Sequence, residues 1–255
     1  MLKLYIANKN YSSWSMRPWV LLKQADIAFE EVMVRFGKDT FTEGSAFKQG
    51  ILAVNPAGRV PVLMDDGFAV WDTLAIAEYA AEKFPEKRLW PQDAKARARA
   101  RSVCAEMHSG FGALRSACPM NIEAPLSQTG AIIWRDQPAV RKDVQRILTM
   151  WTELLEQHKG PMRTAEPSQG ANAPLGGRET TPSVGAQFLF GEFSIADAYF
   201  APVCMRVKTY ALPVPGVITD YIERVCALPG VKAWIADALA EKDFVISDEP
   251  YRISR

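Results

Sequence analysis

The order of hydrophobic periodicities in the first 85 residues most constrains the fold of this chain. A strand pattern in LKLYIA is followed by helical spacing in RPWVLLKQADI and by strand-like alternation in FEEVMVRF. After an irregular stretch come two short predicted strands around an Asp-Gly turn in VPVLMDDGFAVW, and then an amphipathic helix in TLAIAEYAAEKF. A βαβ unit followed by a hairpin and a helix predicts a small mixed sheet.

The remainder of the chain has helical patterns. Apolar residues spaced by three and four occur in four segments, KARARARSVCAEMHSGFGALRSAC, AVRKDVQRILTMWTELLEQH, SIADAYFAPVCMRVKTYAL and VKAWIADALAEK. We therefore predict an α/β thioredoxin-like N-terminal domain over residues 1–84, a linker over 85–91 and an all-α C-terminal domain over 92–255.

One segment of the predicted C-terminal domain breaks the helical pattern. Residues 160–185 hold nine glycines or prolines among 26 residues, a density that excludes a continuous helix. We interpret this segment as a flexible, exposed insertion. Two hypotheses stay open for it: a lid over a site, or a surface insertion without function.

Charge and composition restrict the partners and the compartment. The formal net charge is +1, which favours neither nucleic acid nor an anionic membrane as a partner. No secretory signal and no apolar run of about 18 residues is recognisable. The four cysteines are scattered, and the two histidines belong to no Cys/His cluster. We therefore expect a reduced, cytoplasmic protein without a metal site.

The dipeptide Val60-Pro61 precedes the first strand of the predicted hairpin. Proline donates no hydrogen bond to a sheet, so it must lie at the start or the edge of a strand. In a thioredoxin-like module a proline at this position is typically cis. That geometry would turn the backbone N–H and C=O of Val60 outward, where an extended peptide could pair with them.

Asp72 and Thr73 stand at the start of the predicted helix in TLAIAEYAAEKF. Both are good N-cap residues, so capping alone is one interpretation. A helix N-terminus also binds carboxylates through its free N–H groups and its dipole. The Thr73 hydroxyl could add a donor, and Asp72 could pair with an ammonium group of the same ligand.

Ser12 and Ser13, in the stretch NYSSWSMRPW, lie between the first strand and the first helix. They could cap that helix, or they could donate a hydrogen bond to a bound thiol, whose thiolate the helix dipole would stabilise. A serine nucleophile needs a base such as histidine. Neither histidine lies near these serines in the sequence or in a G-x-S-x-G context, which argues against acyl transfer.

Together these segments resemble the cytosolic glutathione S-transferases. SSWSMR is similar to the S-S-C-x-x-R signature of the zeta class, which includes maleylacetoacetate isomerases, with Trp14 in place of cysteine. NPAGRVPVL resembles the family's N-P-x-x-x-V-P-x-L. DDGFAVWDTLAIAEYAAEKFP resembles its D-x-G-x-x-L-x-E-S-x-A-I-x-x-Y-L, and FSIADAYFAPV its S/T-x-x-D helix-capping box. The resemblance implies a bacterial member of this family, closest to the zeta class in its serine motif.

The resemblance implies a binding mode for glutathione as co-substrate. The backbone of Val60, ahead of cis-Pro61, would pair with the cysteinyl moiety. Asp72 and Thr73 would hold the γ-glutamyl end, and Arg59 could meet the glycyl carboxylate.

The resemblance also implies the chemistry. Ser12 would donate to the glutathione sulfur, with Ser13 as the alternative, and the thiolate would attack a small electrophile bound under the helix that contains Met107, His108 and Phe111. The alternatives are a zeta-like cis–trans isomerase, which Trp14 argues against, and a non-catalytic glutathione-binding module. A homodimer is expected from the family.

Overall fold

The first part of the chain forms the predicted mixed sheet. The computed structural model describes residues 1–37, 40, 42–158 and 187–255. In these residues the strands are β1 (Leu2–Ile6), β2 (Glu30–Met33), β3 (Val62–Asp65) and β4 (Phe68–Val70). They lie in the order β2-β1-β3-β4, with β1 parallel to β2 and antiparallel to β3. The thioredoxin-like sheet predicted from the sequence is therefore confirmed.

Three helices accompany this sheet: α1 (Ser13–Gln24), α2 (Ala46–Leu52) and α3 (Thr73–Lys83). The structure differs from the prediction at α2, which lies in the stretch interpreted as irregular. Ser45 caps α2 by accepting a hydrogen bond from the backbone N–H of Lys48. With seven residues, α2 is too short for its hydrophobic periodicity to be recognised.

Helices dominate the described residues after 92, with two isolated β-bridges between residues 188 and 192. Their helices are α4 (Ala94–Ser109), α5 (Gly112–Ala117), α6 (Ser127–Asp136), α7 (Pro138–Gln157), α8 (Ile195–Tyr210), α9 (Gly216–Ala227) and α10 (Pro229–Ala240). The sequence analysis did not identify α6 and α9, and it did not separate α5 from α4. None of the helices in the described ranges has both the length and the hydropathy that a membrane span requires.

The predicted domain boundaries coincide with changes in local structure. A 3-10 turn at Pro85–Lys87 follows α3, and Asp93 caps α4. The division at these positions stays a prediction. The predicted insertion at 160–185 lies outside the described residues.

Helix α8 is the centre of the helical part, because nearly all of its side chains are buried. It packs against α1, α4, α6 and α9. Its contact with α6 requires Gly130, since a Cβ there would lie 1.7 Å from the carbonyl oxygen of Tyr210. A larger residue at this position would push the two helices apart.

A buried capping box fixes the start of α8. The carboxyl of Asp197 accepts hydrogen bonds from the N–H of Ser194 at 2.9 Å, the N–H of Leu189 at 3.1 Å and the hydroxyl of Tyr221 at 3.1 Å. Burial raises the pKa of Asp197 to about 6, although its donors act in the opposite direction. The group is therefore still ionised at neutral pH and ties α8 to α9.

We predict that Asp197→Ala lowers the free energy of unfolding by about 3 kcal/mol, because it leaves several buried donors without an acceptor. Urea denaturation followed by circular dichroism measures this change. Asp220→Ala, on the exposed side of α9, is the matched control and should change stability by less than about 0.5 kcal/mol. Equal effects of the two substitutions would contradict the role of the capping box.

Candidate active site

A pocket of about 200 Å³ opens where the start of β3, the N-termini of α1 and α3, and helix α4 meet. Its wall is formed by Trp14, Asn55, Ala57, Arg59, Val60, Pro61, Trp71, Asp72, Thr73 and His108. Five of the seven residues that the sequence analysis selected for the site are therefore brought together here. The two serines, Ser12 and Ser13, are not part of this wall.

The loop before β3 presents the backbone of Val60 to the pocket. The peptide bond between Val60 and Pro61 is cis, as the sequence predicts. Asn55 is buried and holds the loop from within: its side chain donates to the carbonyl of Arg59 at 2.7 Å and accepts from the N–H of Ala57 at 2.9 Å. The N–H and C=O of Val60 have no hydrogen-bond partner among the described residues, so both remain available to an extended ligand.

The N-terminus of α3 forms the next part of the wall. Asp72 caps the helix: its Oδ1 accepts from the N–H of Leu74 at 3.1 Å. The peptide bond between Trp71 and Asp72 is cis. Thr73 follows as the first helical residue and is buried. This end of α3 offers N–H groups, a carboxyl and a hydroxyl to one ligand end.

Ser12 and Ser13 lie at the N-terminus of α1, as the sequence predicts. The Ser12 hydroxyl donates to Oγ of Ser15 at 2.8 Å and accepts from the N–H of Ser15 at 3.4 Å. Ser13 Oγ accepts from the guanidinium of Arg206 at 3.2 Å. The side chain of this stretch that lines the pocket is Trp14. Both serines therefore lie beside the wall, and their catalytic role stays a prediction.

The ring of Trp14 is fixed by charged and aromatic neighbours. The guanidinium of Arg17 lies 4.3 Å and that of Arg115 5.6 Å from the ring centre. The imidazole of His108 meets the ring edge-on, with 5.1 Å between centres. These contacts hold Trp14 as a rigid aromatic side of the pocket.

Arg17 lies buried under Trp14 and joins α1 to α8. Its Nε donates to the carbonyl of Tyr199 at 2.9 Å, and its Nη1 donates to the carbonyl of Ser13 at 3.2 Å. Burial lowers the pKa of Arg17 to about 9, and repulsion from Arg206 and Arg115 acts in the same direction. The guanidinium remains positive at neutral pH, so it places a positive charge behind the pocket wall.

His108 connects three elements at the edge of the pocket. Its Nδ1 lies 2.8 Å from the hydroxyl of Tyr199 on α8, and its Nε2 lies 3.1 Å from Oδ2 of Asp72 at the start of α3. Of the helix α4 residues named from the sequence, His108 reaches the pocket, while Met107 is buried.

Two family models match this chain. The model of the glutathione S-transferase N-terminal domain matches residues 11–83, and that of the C-terminal domain matches residues 134–237. These two stretches together make up more than half of the 255 residues. The chain belongs to the glutathione S-transferase family.

Curated relatives and solved structures agree with this assignment. Over 217 residues the chain is 27% identical to glutathione S-transferase 1 of Dianthus caryophyllus. The match covers 81% of this chain and 93% of that protein. It is 33% identical over 122 residues to maleylacetoacetate isomerase of Pseudomonas aeruginosa, covering 48% and 55% of the two chains. A glutathione transferase homologue from Burkholderia has the same fold, with a TM-score of 0.62 at 23% identity over 94% of this chain and 99% of that one.

Sequence analysis did not recognise Trp14 and His108 as joint pocket residues in this glutathione S-transferase. The spacing of Trp14 and Arg17 did indicate that these two side chains are neighbours, because residues three apart lie on the same face of a helix. Nothing in the sequence indicated that His108 would meet Asp72, because the two residues belong to separate elements.

The cysteines of this glutathione S-transferase are poorly placed for chemistry. All four are free, and none lines the pocket. Burial raises the pKa of Cys118 to about 12 and that of Cys104 well above the usual value of a thiol. Among the residues that the structure describes, no group of three or more His, Cys, Asp or Glu side chains could hold a metal ion.

We predict that Arg17→Ala lowers the free energy of unfolding by about 3 kcal/mol, because the packing and side-chain hydrogen bonds between α1 and α8 are lost and Trp14 loses its support. Chemical denaturation measures the loss. Arg135→Ala removes an exposed guanidinium that pairs with its neighbour Asp136, and it should change the free energy of unfolding far less. If Arg17→Ala were no more destabilising than Arg135→Ala, Arg17 would not join α1 to α8.

Proposed function

We propose that this protein is a glutathione transferase that binds glutathione in the pocket and activates it as a thiolate for attack on a small electrophile. The observation that carries the proposal is the convergence of Arg59, Val60, Asp72 and Thr73 on one pocket beside the N-terminus of α1. A backbone pairing edge and two helix N-termini suit a ligand that is a short peptide with charged ends.

The proposed binding mode uses each of these groups once. The free backbone groups of Val60 pair with the cysteinyl unit. Asp72 binds the γ-glutamyl ammonium, and Thr73 with the N-terminus of α3 binds the adjacent carboxylate. Arg59 meets the glycyl carboxylate. The Burkholderia homologue of the same fold contains bound glutathione, which supports this class of ligand.

The proposed activation step takes place at the N-terminus of α1. Ser12 caps this helix, and a rotation about its Cα–Cβ bond would transfer its hydrogen bond from Ser15 to a bound sulfur. The helix dipole and the positive charge of Arg17 behind the wall also favour the thiolate over the thiol. The thiol proton passes to water, and the thiolate forms a C–S bond as the leaving group departs with its electron pair. Proximity and electrostatics supply the rate gain.

Zeta-like cis–trans isomerisation is the second candidate. The similarity to maleylacetoacetate isomerases favours it. The bulky Trp14 argues against it, because it occupies the position of the signature cysteine and narrows the space near the proposed sulfur position. An assay of the purified protein with a maleyl-type substrate and glutathione tests this candidate. The absence of isomerisation would exclude the isomerase function.

A non-catalytic glutathione-binding module is the remaining alternative. Retention on immobilised glutathione, without turnover of any electrophile or peroxide, would favour it over the transferase.

We also propose that the protein is a cytoplasmic homodimer. The family resemblance supports the dimer, and the four free cysteines support a reducing compartment. Light scattering of the purified protein measures its mass in solution. The mass of a single chain would contradict the dimer. Cell fractionation tests the compartment.

We predict that Ser12→Ala lowers kcat/KM for glutathione with chlorodinitrobenzene at least about tenfold, because the developing thiolate loses a hydrogen-bond donor. The pH at which kcat/KM reaches half its maximum should rise, since the bound thiol then ionises less readily. Steady-state kinetics across pH measures both effects.

Ser13→Ala is the matched variant for this prediction. The Ser13 hydroxyl accepts from Arg206, away from the pocket wall, so kcat/KM should stay close to that of the wild type. A loss with Ser13→Ala and none with Ser12→Ala would move the role to Ser13. Unchanged kinetics in both variants would remove the serines from the mechanism.

We predict that Asp72→Asn weakens the binding of S-methylglutathione about tenfold, because the ligand ammonium loses a charged partner while the helix keeps a capping side chain. Isothermal titration calorimetry measures the dissociation constant. Asp66→Asn, in the exposed β3–β4 turn, is the control and should bind as the wild type does. Equal affinity of all three proteins would show that Asp72 does not bind the ligand.

A further inference from the structure

The side chain of His108 lies between a buried phenol and an exposed carboxyl. Tyr199 is buried, and burial raises its pKa far above the usual value of a phenol. The carboxyl of Asp72, in contrast, is 55% exposed. The imidazole therefore joins a rigid group inside the helical part to the second oxygen of a half-exposed carboxyl, whose first oxygen caps α3.

The chemistry of these two neighbours fixes the orientation of the imidazole. A carboxylate only accepts hydrogen bonds, so Nε2 of His108 carries a proton and donates to Asp72. The neutral phenol of Tyr199 then donates to Nδ1, so both ring nitrogens of His108 have a hydrogen-bond partner. The edge-on contact with Trp14 restrains the ring plane further.

These contacts also fix the carboxylate of Asp72. Its Oδ1 accepts from the N–H of Leu74, and its Oδ2 accepts from His108. Both torsions of the side chain are thereby set, and each oxygen keeps a free lone pair. An exposed carboxylate that is already ordered loses less conformational entropy when it binds a cation than one that rotates freely.

We propose that His108 is a positioning residue that holds Asp72 in the orientation which binds the α-ammonium of the ligand. The inference rests on the proposed function and deepens it, because it assigns to a residue on α4 the orientation of the carboxylate that binds the ammonium. His108 acts through Asp72 and does not itself contact the ammonium. Tyr199 fixes His108 in turn, so the helical part contributes to glutathione affinity from outside the thioredoxin-like part.

Two substitutions at the same position separate this role from a purely structural one. In His108→Gln the amide nitrogen reaches the place of Nε2 and can still donate to Asp72. In His108→Asn the shorter side chain can accept from Tyr199 but does not reach Asp72. Both keep a polar residue of intermediate size on α4, and thermal denaturation checks that both are folded.

The probes are S-methylglutathione and its analogue in which hydrogen replaces the α-amino group. Both lack a reactive thiol, so calorimetry measures binding independently of turnover. We expect His108→Asn to weaken the binding of S-methylglutathione about fivefold, and His108→Gln to restore most of the loss. We expect neither substitution to change the affinity for the analogue without the amino group. His158→Asn, at the other histidine of the chain, is the control and should leave both affinities unchanged.

Three outcomes would overturn the proposal. Equal losses with both probes would assign His108 a structural role or a contact elsewhere on the ligand. Equal affinities of the asparagine and glutamine variants would show that the hydrogen bond to Asp72 does not matter. If the wild type bound neither probe, the proposed function would fail together with this inference, whereas failure of the inference alone leaves wild-type binding intact.

Discussion

The burial of Arg17 between α1 and α8 is the interaction on which the site depends. A guanidinium removed from water is costly, and no carboxylate among the described residues pairs with it. Two backbone carbonyls and the faces of Trp14 and Tyr199 offset this cost. These contacts are met only when α1 and α8 lie at one particular distance and rotation. The N-terminus of α1 therefore has a fixed place relative to the helical part.

The contact between α1 and α8 sets the geometry of the pocket. The sheet positions Val60 and the start of α3, whereas α4 and α8 position His108. Trp14 lies at the boundary, with Arg17 behind it and His108 at its edge. Groups from both parts of the chain thus converge without any one element supplying the whole site. A ligand bound to Asp72 would be linked to the helical part through His108, which favours the present arrangement of the two parts by mass action.

The sequence predicted the features that depend on local chemistry and left out those that depend on distant partners. The mixed sheet and the caps of α1 and α3 follow from periodicity and residue type, and the cis bond before Pro61 follows from the likeness to a thioredoxin-like module. The direction of the Ser13 side chain does not, because it is set by Arg206, 193 positions away. The hydrogen bond between His108 and Tyr199 likewise spans 91 positions. Tertiary contacts of this kind have no signature in one sequence.

The surroundings of the pocket bear on the proposed nucleophile. No cysteine lines it, and burial raises the pKa of each of the four thiols. In the described part of the chain the Ser12 hydroxyl meets Ser15 and no histidine, so it has no base to make it a nucleophile. Both nitrogens of His108 are already engaged. What remains is a set of donors, dipoles and positive charge suited to stabilising an anion, which supports the proposal that the ligand brings the reacting sulfur.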